Sequence, residues 1–342
     1  MPGKTVTDRL AYDAGALAGA ASLSVAPMMD WTDRHCRYFH RLMSRQALLY
    51  TEMVTAPALV RGGARHLLRF DPAEQPVALQ LGGSDPAELA QAARMGAEEG
   101  YPEINLNCGC PSDRVQSGTF GAILMTTPDQ VAECCAEMSA AQPAEVTVKC
   151  RIGVDNQDPE EVLPTFLEKI RAAGVRRVTI HARKAWLQGL SPKKNRDIPP
   201  LDHDLVHRMK AEFPDLHVSL NGGIVSLAAA RAHLDRGIDG VMIGRTAYHS
   251  PAEILLDADR AIFGGAPGPD RHAVVAAMRP YIAAHLAEGG KLAQVTRHML
   301  GLFAGLPGAR HWRRVLSEQG HRAGAGPEVL DRALDAMEQA AA

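Results

Sequence analysis

Eight short apolar runs, each followed by a polar break and then by an amphipathic stretch, constrain this chain more than any other feature of its sequence. The runs are Leu23 to Met29, Ala47 to Val54, Val77 to Leu81, Ile104 to Asn107, Val146 to Ile152, Arg177 to Ala182, His217 to Leu220 and Gly240 to Gly244. Short apolar runs bounded by turn residues read as buried strands. The stretches between them carry helical spacing: Asp33 to Met43, Pro86 to Glu99, Pro128 to Ala140, Pro159 to Ala173, Leu205 to Phe213, Leu227 to Arg236 and Ala252 to Phe263. Two of these open on recognisable start signals. Thr127 stands as N-cap before Pro128 and Gln130, and Asp85 stands before Pro86 and Glu88, an order that satisfies the unpaired N–H groups of a first turn. Eight strand–helix units within about 240 residues predict a (β/α)8 TIM barrel, in the α/β class. A doubly wound open sheet built from the same units is the competing architecture.

After Asp270 the strand signals stop. Helical patterns cover His272 to Ala287, Leu292 to Phe303, Ala309 to Glu318 and the stretch from Pro327 to the end. Gly264 to Pro269, GGAPGP, reads as the linker, because glycine and proline interrupt both helix and strand. The expected organisation is an N-terminal extension over residues 1–22, a barrel over 23–263 and a small all-α C-terminal domain over 270–342. The Ala/Gly stretch from Ala14 to Ala21 imitates a signal peptide, but it follows Asp13 and lacks a leucine-rich core. It therefore reads as a mobile extension. No apolar run approaches the roughly 20 residues that a membrane-spanning helix needs, so no membrane partner is expected. The six cysteines, at 36, 108, 110, 134, 135 and 150, form no Cys-x-x-Cys pair. That argues against a zinc site, no metal is expected, and a long chain poor in cysteine suits the reducing cytoplasm.

The unusual residues fall at the carboxyl ends of the apolar runs. In order they are Pro27, Met28 and Met29, Glu52, Gln80, Asn107 to Cys110, Lys149 and Arg151, His181 and Arg183, Asn221 to Gly223, and Gly244 with Arg245. Polar groups are costly to bury without partners, and the carboxyl ends of barrel strands form the active face. A single lysine or histidine there is more often a structural ion pair. Such groups at most of the strand ends point instead to one shared ligand. The segment EINLNCGCPSDRV, from Glu103 to Val115, sets a thiol at the mouth of one strand, with glycine and proline shaping the turn. Most intracellular cysteines are only small buried hydrophobes, so this thiol takes its meaning from its neighbours.

Two ends suggest a phosphate. Asn221-Gly222-Gly223 leads through Ser226 into a helix, and Gly244-Arg245 closes the next strand. Glycines let the backbone approach an anion, a helix start offers free N–H groups, and Arg245 adds charge. A ring cofactor on that phosphate would reach Gln80, Lys149 and His181. Lys149 suits either a reduced flavin, whose negative charge it would stabilise, or a Schiff-base aldolase, whose nucleophile it would be. Lys plus Arg number 37 against 39 Asp plus Glu, a net charge of −2, so any surface for a polyanion must be local. Two clusters qualify: RKAWLQGLSPKKNR from Arg183 to Arg196, and the basic stretch from Lys291 to Arg322, in which only Glu318 opposes. Trp186 and Trp312 within them read equally as base-stacking platforms or as packing.

With these residues in view, the chain resembles the tRNA-dihydrouridine synthases, in particular their bacterial A-type subgroup. The resemblance runs from about Leu23 to Gly324. It rests on APMMDWTDRHCRYFHRL, LLYTEMV, LQLGGSDP, EINLNCGCPSDRV, VTVKCRIGVDNQD, IHARKAWLQGLSPKKNRDIPPLD, LNGGI, DGVMIGRTAY and TRHMLGLFAGLPGARHWRRVLSE. It implies an FMN-bearing barrel and a helical domain with tRNA held between them. The implied reaction is reduction of the C5–C6 double bond of a D-loop uridine, at positions 20 and 20a, with NADPH as electron donor and the protein acting on tRNA as a monomer. Carried onto this sequence, Cys110 becomes the proton donor to C5, opposite the hydride that reduced FMN gives to C6. A proton donor must be a neutral thiol. The resemblance sets FMN against Pro27, Met28, Met29, Gln80, Lys149, His181, Asn221, Gly222, Gly223, Gly244 and Arg245. It sets the target base against Asn107 and Arg183, with Lys184, Lys193, Lys194, Arg310 and Arg313 as candidates for RNA contact. Extruding the uridine from the folded D-loop costs a few kcal/mol.

Two departures from the family pattern matter. Cys108 stands where a non-thiol residue is usual, creating a Cys-Gly-Cys, and Ser117 replaces an asparagine common in the mobile loop. Cys110 alone is expected to be catalytic. The competing functions are an FMN-dependent reductase of a free pyrimidine or small enone, and a non-catalytic tRNA-binding factor whose thiol is idle. No G-x-G-x-x-G fingerprint is visible, so NADPH and tRNA are expected to use the same flavin face in turn.

Overall fold

A computed structural model describes residues 14–112 and 120–341. Its strands are β1 (Leu23–Val25), β2 (Leu49–Thr55), β3 (Val77–Gly82), β4 (Glu103–Cys108), β5 (Glu145–Arg151), β6 (Arg177–His181), β7 (His217–Asn221) and β8 (Gly240–Ile243). All pair in parallel, in the order β1-β8-β7-β6-β5-β4-β3-β2. A parallel bridge from Ser24 to Leu48 joins the two ends of that order, and the Val25 N–H donates to the Leu48 carbonyl at 3.0 Å. The sheet thus closes on itself, and the barrel stands in place of the open sheet. β1 stops at Val25 rather than Met29, before Pro27, which has no N–H to give a ladder.

Side chains alternate across each strand, and here the polar set faces inward. On β4, Ile104, Leu106 and Cys108 are wholly buried in the hydrophobic layer outside the strands. The helix Pro86–Glu99 lies so close to this layer that a Cβ on Gly96 would stand 2.5 Å from Leu79 and 2.8 Å from Ile104. On the inner side Gln80, Asn105 and Thr147 lie abreast on β3, β4 and β5, with Asn107 beside Lys149 one step higher.

The helix Pro86–Glu99 begins as expected, Asp85 accepting from the Glu88 N–H. Thr127 precedes Pro128–Ala141 without capping it through its side chain. Two expected helices are shorter in fact. Ala252 to Phe263 divides into Pro251–Leu255 and Ala258–Ala261, and the one begun at Leu292 ends at Thr296. Beyond Thr296 the backbone packs hard against the barrel, where a Cβ on Gly301 would stand 2.3 Å from the His249 carbonyl oxygen. Tertiary packing overrides helical propensity there.

The described part of the N-terminal extension is not a mobile tail. Ala14–Ala20 is a helix, and Leu17, Ala20 and Ala21 are buried in one cluster with Leu48, Tyr50, Ala78 and Met242. The Leu48 N–H donates to the Ala20 carbonyl at 3.3 Å, so the helix caps the amino-terminal end of the barrel. Small residues permit that close approach.

The C-terminal helices are Arg271–Ala287, Leu292–Thr296, Ala309–Gln319 and Glu328–Ala341. Trp312 is fully buried, donates Nε1–H to the Met299 carbonyl at 3.0 Å and meets Phe303 edge-on at 4.8 Å. It is packing, not a base platform. Arg297 and His298 reach Asp33, the N-cap of Arg34–Met43, and so fasten the helical region to the barrel. No described helix is long and apolar enough to cross a membrane.

Candidate active site

The carboxyl ends of the strands surround a cavity of about 760 Å³, within the range of small-molecule and cofactor sites. Every residue that the resemblance set against FMN lines it. Pro27, Met28 and Met29 follow β1, Gln80 lies on β3, Lys149 on β5, His181 on β6, Asn221, Gly222 and Gly223 at the end of β7, and Gly244 and Arg245 after β8. Asn107 and Cys110, at the end of β4, line it too.

The Cys110 turn is pinned on several sides. Asn107 Oδ1 accepts from the N–H groups of Gly109 and Cys110, both at 3.0 Å. Arg151 Nε donates to the Gly109 carbonyl at 2.9 Å, and the Cys110 carbonyl accepts from the Ala122 N–H at 2.9 Å. Asn107 Nδ2 donates to Gln80 Oε1 at 2.8 Å. Its carboxamide is thus largely engaged in shaping the turn, with one N–H to spare among the described residues.

Three basic groups face the cavity without a carboxylate partner among the described residues. Lys149 Nζ donates to Asn221 Oδ1 at 3.1 Å, and Asn221 is oriented for this because its Nδ2 donates to the Met242 carbonyl at 2.7 Å. Burial, and then the charge of Arg151, bring the Lys149 ammonium down to about 8. Arg151 donates to the carbonyls of Gly109, Lys184 and Asn195, and burial lowers it to about 10. Burial, with Arg151 and Lys149 adding to it, holds His181 well below the usual imidazole range, so that it is neutral. Cations held by neutral oxygens favour an electron-rich or anionic guest.

The loop after β7 is built for close approach. Gly222 and Gly223 have φ of +112° and +74°, and a Cβ would stand 2.8 Å from the His181 ring or 2.4 Å from Leu201. Ser226 then caps Leu227–Asp235, accepting from the Ala229 N–H. The glycine cradle and the unbalanced cations together fit a phosphate-bearing ring cofactor.

The remaining residues lie outside the cavity. Arg183 donates to the Pro199 carbonyl, and Lys184 Nζ donates to the Gln157 carbonyl at 3.1 Å with the Trp186 ring 5.6 Å away. Lys193 and Lys194 are exposed at the turn Lys194–Arg196, and Arg310 and Arg313 are exposed on Ala309–Gln319. Ser117 lies outside the described residues. Sequence reasoning assigned no role to Arg151, Arg196 or Trp31, all of which line the cavity. Arg151 carried a signal as a charge ending an apolar strand, and Arg196 as part of a basic cluster. Trp31, stacked on Tyr248 with ring centroids 4.6 Å apart, carried none.

The dihydrouridine synthase (Dus) family model matches residues 24–340. The tRNA-dihydrouridine(20/20a) synthase of Shewanella oneidensis is 55% identical over 318 residues, covering 93% of this chain and 94% of that protein. The enzyme of that name from Escherichia coli K12 is 56% identical over 313 residues, covering 91% and 90%. Among solved structures, that of TcOYE with pHBA is similar in fold, with a TM-score of 0.50 at 11% identity over 74% of this chain and 91% of that one. A match along nearly the whole length, on a barrel whose strand ends bring Asn107, Cys110, Lys149, His181 and the Gly222-Gly223 turn to one cavity, places the chain plainly: it belongs to the dihydrouridine synthase family and is an oxidoreductase of that kind.

Proposed function

We propose that this protein reduces the C5–C6 double bond of a D-loop uridine in tRNA, at the 20/20a positions that its relatives' names carry, using FMN and NADPH in the cytoplasm and acting on tRNA as a monomer. The observation that carries the reading is the position of Cys110: a partly exposed thiol on one wall of a cavity that also holds Lys149, His181 and the Gly222-Gly223 cradle. Gly222, Gly223, Gly244 and Arg245 would hold the FMN phosphate, and Gln80, Lys149 and His181 the ring. Bound and reduced, the flavin supplies hydride to C6 of the uracil. Cys110 gives C5 its proton and regains one from solvent, while Asn107 and Arg183 hold the base. Lys184, Lys193, Lys194, Arg310 and Arg313 would grip the RNA backbone.

The test uses tRNA from a strain lacking this gene, incubated with purified protein, FMN and NADPH, and mapped by mass spectrometry. A gain of two hydrogens confined to the D-loop supports the proposal. Oxidation of NADPH by the flavin-loaded protein with no gain in the tRNA would overturn it in favour of a small-molecule reductase.

A further inference from the structure

A chain of buried hydrogen bonds runs down the inside of the barrel from the Cys110 turn to an ion pair. Asn107 Nδ2 donates to Gln80 Oε1, Gln80 Nε2 to Asn105 Oδ1, and Asn105 Nδ2 to Thr147 Oγ1, each at 2.8 Å. Thr147 donates its one hydroxyl proton to Glu103 Oε1 at 2.5 Å. The same carboxylate oxygen accepts from the Tyr50 hydroxyl at 2.7 Å, and Arg177 holds the other oxygen at 2.7 Å. Gln80, Asn105, Thr147 and Glu103 are all buried, so bulk water does not replace a missing partner.

The direction of this chain is fixed at both ends. An ionised carboxylate only accepts, and a backbone N–H only donates. Glu103 therefore makes Thr147 donate toward it, which leaves the Thr147 oxygen to accept from Asn105. The carboxamides beyond then have one orientation each. At the far end, Asn107 Oδ1 is turned to the N–H groups of Gly109 and Cys110.

We propose that Glu103 is a positioning residue for Cys110, its carboxylate acting through Thr147, Asn105 and Gln80 to orient the Asn107 carboxamide and hold the thiol-bearing turn at the cavity wall. The use of that positioning in catalysis rests on the reading of Cys110 as the proton donor. The coupling of Glu103 to the turn does not.

Two substitutions break the chain differently. Glu103→Gln keeps the size, but its carboxamide must offer oxygen to Arg177 and therefore its NH2 to Thr147. The Thr147 proton then loses its acceptor: either it stays unpaired in the core, or Thr147 turns it on Asn105 and reverses the carboxamides beyond, setting the Asn107 NH2 against two backbone N–H groups. Thr147→Val cuts the chain and strands Asn105 Nδ2, whereas Thr147→Ser keeps the hydroxyl. A buried group left without its partner is costly enough to change a local opening equilibrium about tenfold.

The experiment measures amide hydrogen exchange on each purified full-length variant. Exchange at Gly109 and Cys110 is expected to rise about tenfold in Glu103→Gln and Thr147→Val and to return to the parent rate in Thr147→Ser. In the flavin-loaded enzyme, single-turnover reoxidation by tRNA is expected to slow about tenfold, with tRNA affinity within about twofold of the parent. If Glu103→Gln does not fold, the two Thr147 variants carry the test. Unchanged exchange at Gly109 and Cys110 in Thr147→Val overturns the proposal. So does equal acceleration throughout the barrel, or Thr147→Ser behaving like Thr147→Val. Exchange needs neither flavin nor tRNA. Faster exchange with unaltered reoxidation would support the coupling and remove Cys110 as the proton donor.

Discussion

Cys108 and Cys110 are separated by one glycine yet stand in opposite surroundings. Cys108 is wholly enclosed in the layer outside β4, beside Cys150 in register, whereas Cys110 is partly exposed and lines the cavity. Burial, reinforced by the neighbouring Cys135, Cys150 and Cys134, pushes the Cys108 thiol well above its ordinary value, so it is inert. Cys108→Ala should keep dihydrouridine formation within about twofold of the parent and cost about 1 kcal/mol of stability. Cys110→Ala should lower turnover by about a hundredfold or more, the usual worth of a positioned acid. Rates on unmodified tRNA decide the matter, and the reverse pattern would move the proton donor to Cys108.

As the proposed contact of the flavin ring, Lys149 should make flavin binding depend on pH. Its ammonium titrates at about 8 in the folded protein, below its ordinary 10.5, chiefly because it is buried. Below about pH 8 both folded and unfolded chains carry the proton, and folding bears the cost of burying the charge. Between about 8 and 10.5 the folded protein sheds its proton first, so this group raises the stability of the free protein as pH climbs. An electron-rich guest needs the charged form. FMN affinity, read from fluorescence quenching, should therefore weaken severalfold between about pH 7 and about pH 9, and Lys149→Gln should flatten that fall. A parent profile as flat as the variant's would rule out a charged Lys149 in the flavin site.

Asp33 joins barrel and helical region. It accepts from the N–H groups of His35 and Cys36, and its carboxylate lies 2.6 Å from Arg297 and 3.0 Å from His298. Burial alone would raise its pKa. Its hydrogen bond and charge interaction with His298, then the Cys36 N–H and Arg297, outweigh that and hold it well below the carboxylate range. The stabilisation is present above the unfolded value of about 4 and is lost as pH falls below it. Asp33→Asn keeps an oxygen for the cap but loses the charge, and should cost about 1–3 kcal/mol at neutral pH. In urea melts the gap between parent and variant should narrow in acid. A gap that stays constant down to about pH 3 would place the stabilisation elsewhere.

The barrel was legible because its outer layer is apolar and periodic: each of the eight runs overlaps a strand. The inner layer is harder to read. On β4 the order Glu103-Ile104-Asn105-Leu106-Asn107-Cys108 alternates in the manner of a half-exposed strand, but here both faces are buried, the polar one inside the barrel. Only the pairing register of β3, β4 and β5 brings Gln80, Asn105 and Thr147 abreast, and alternation within one strand does not reveal its partner's register. The helix Ala14–Ala20 was missed for a related reason. Alanine and glycine carry little hydrophobic signal, and Leu17 finds its place only against Tyr50, Ala78 and Met242, which come from three other strands. Arg183 and Lys184 are grouped with the site by their place in a motif; without RNA their side chains donate to the carbonyls of Pro199 and Gln157, contacts they would exchange to meet the base and the RNA backbone.

Arg310 and Arg313 test the RNA surface without touching the barrel. They lie on the exposed side of Ala309–Gln319, whose other side buries Trp312, Val315 and Leu316, and neither makes an ion pair among the described residues. Reversing both to Glu leaves that packing intact, so melting temperature and flavin content should hold. Affinity for tRNA should fall, and the slope of its logarithm against salt should flatten by about one for each phosphate that is no longer neutralised. An effect on affinity with the slope unchanged would point to a specific hydrogen bond rather than counterion release. Unchanged affinity and slope would take this helix out of the interface, leaving the exposed pair Lys193 and Lys194, beside the cavity-lining Arg196, as the surface to reverse next.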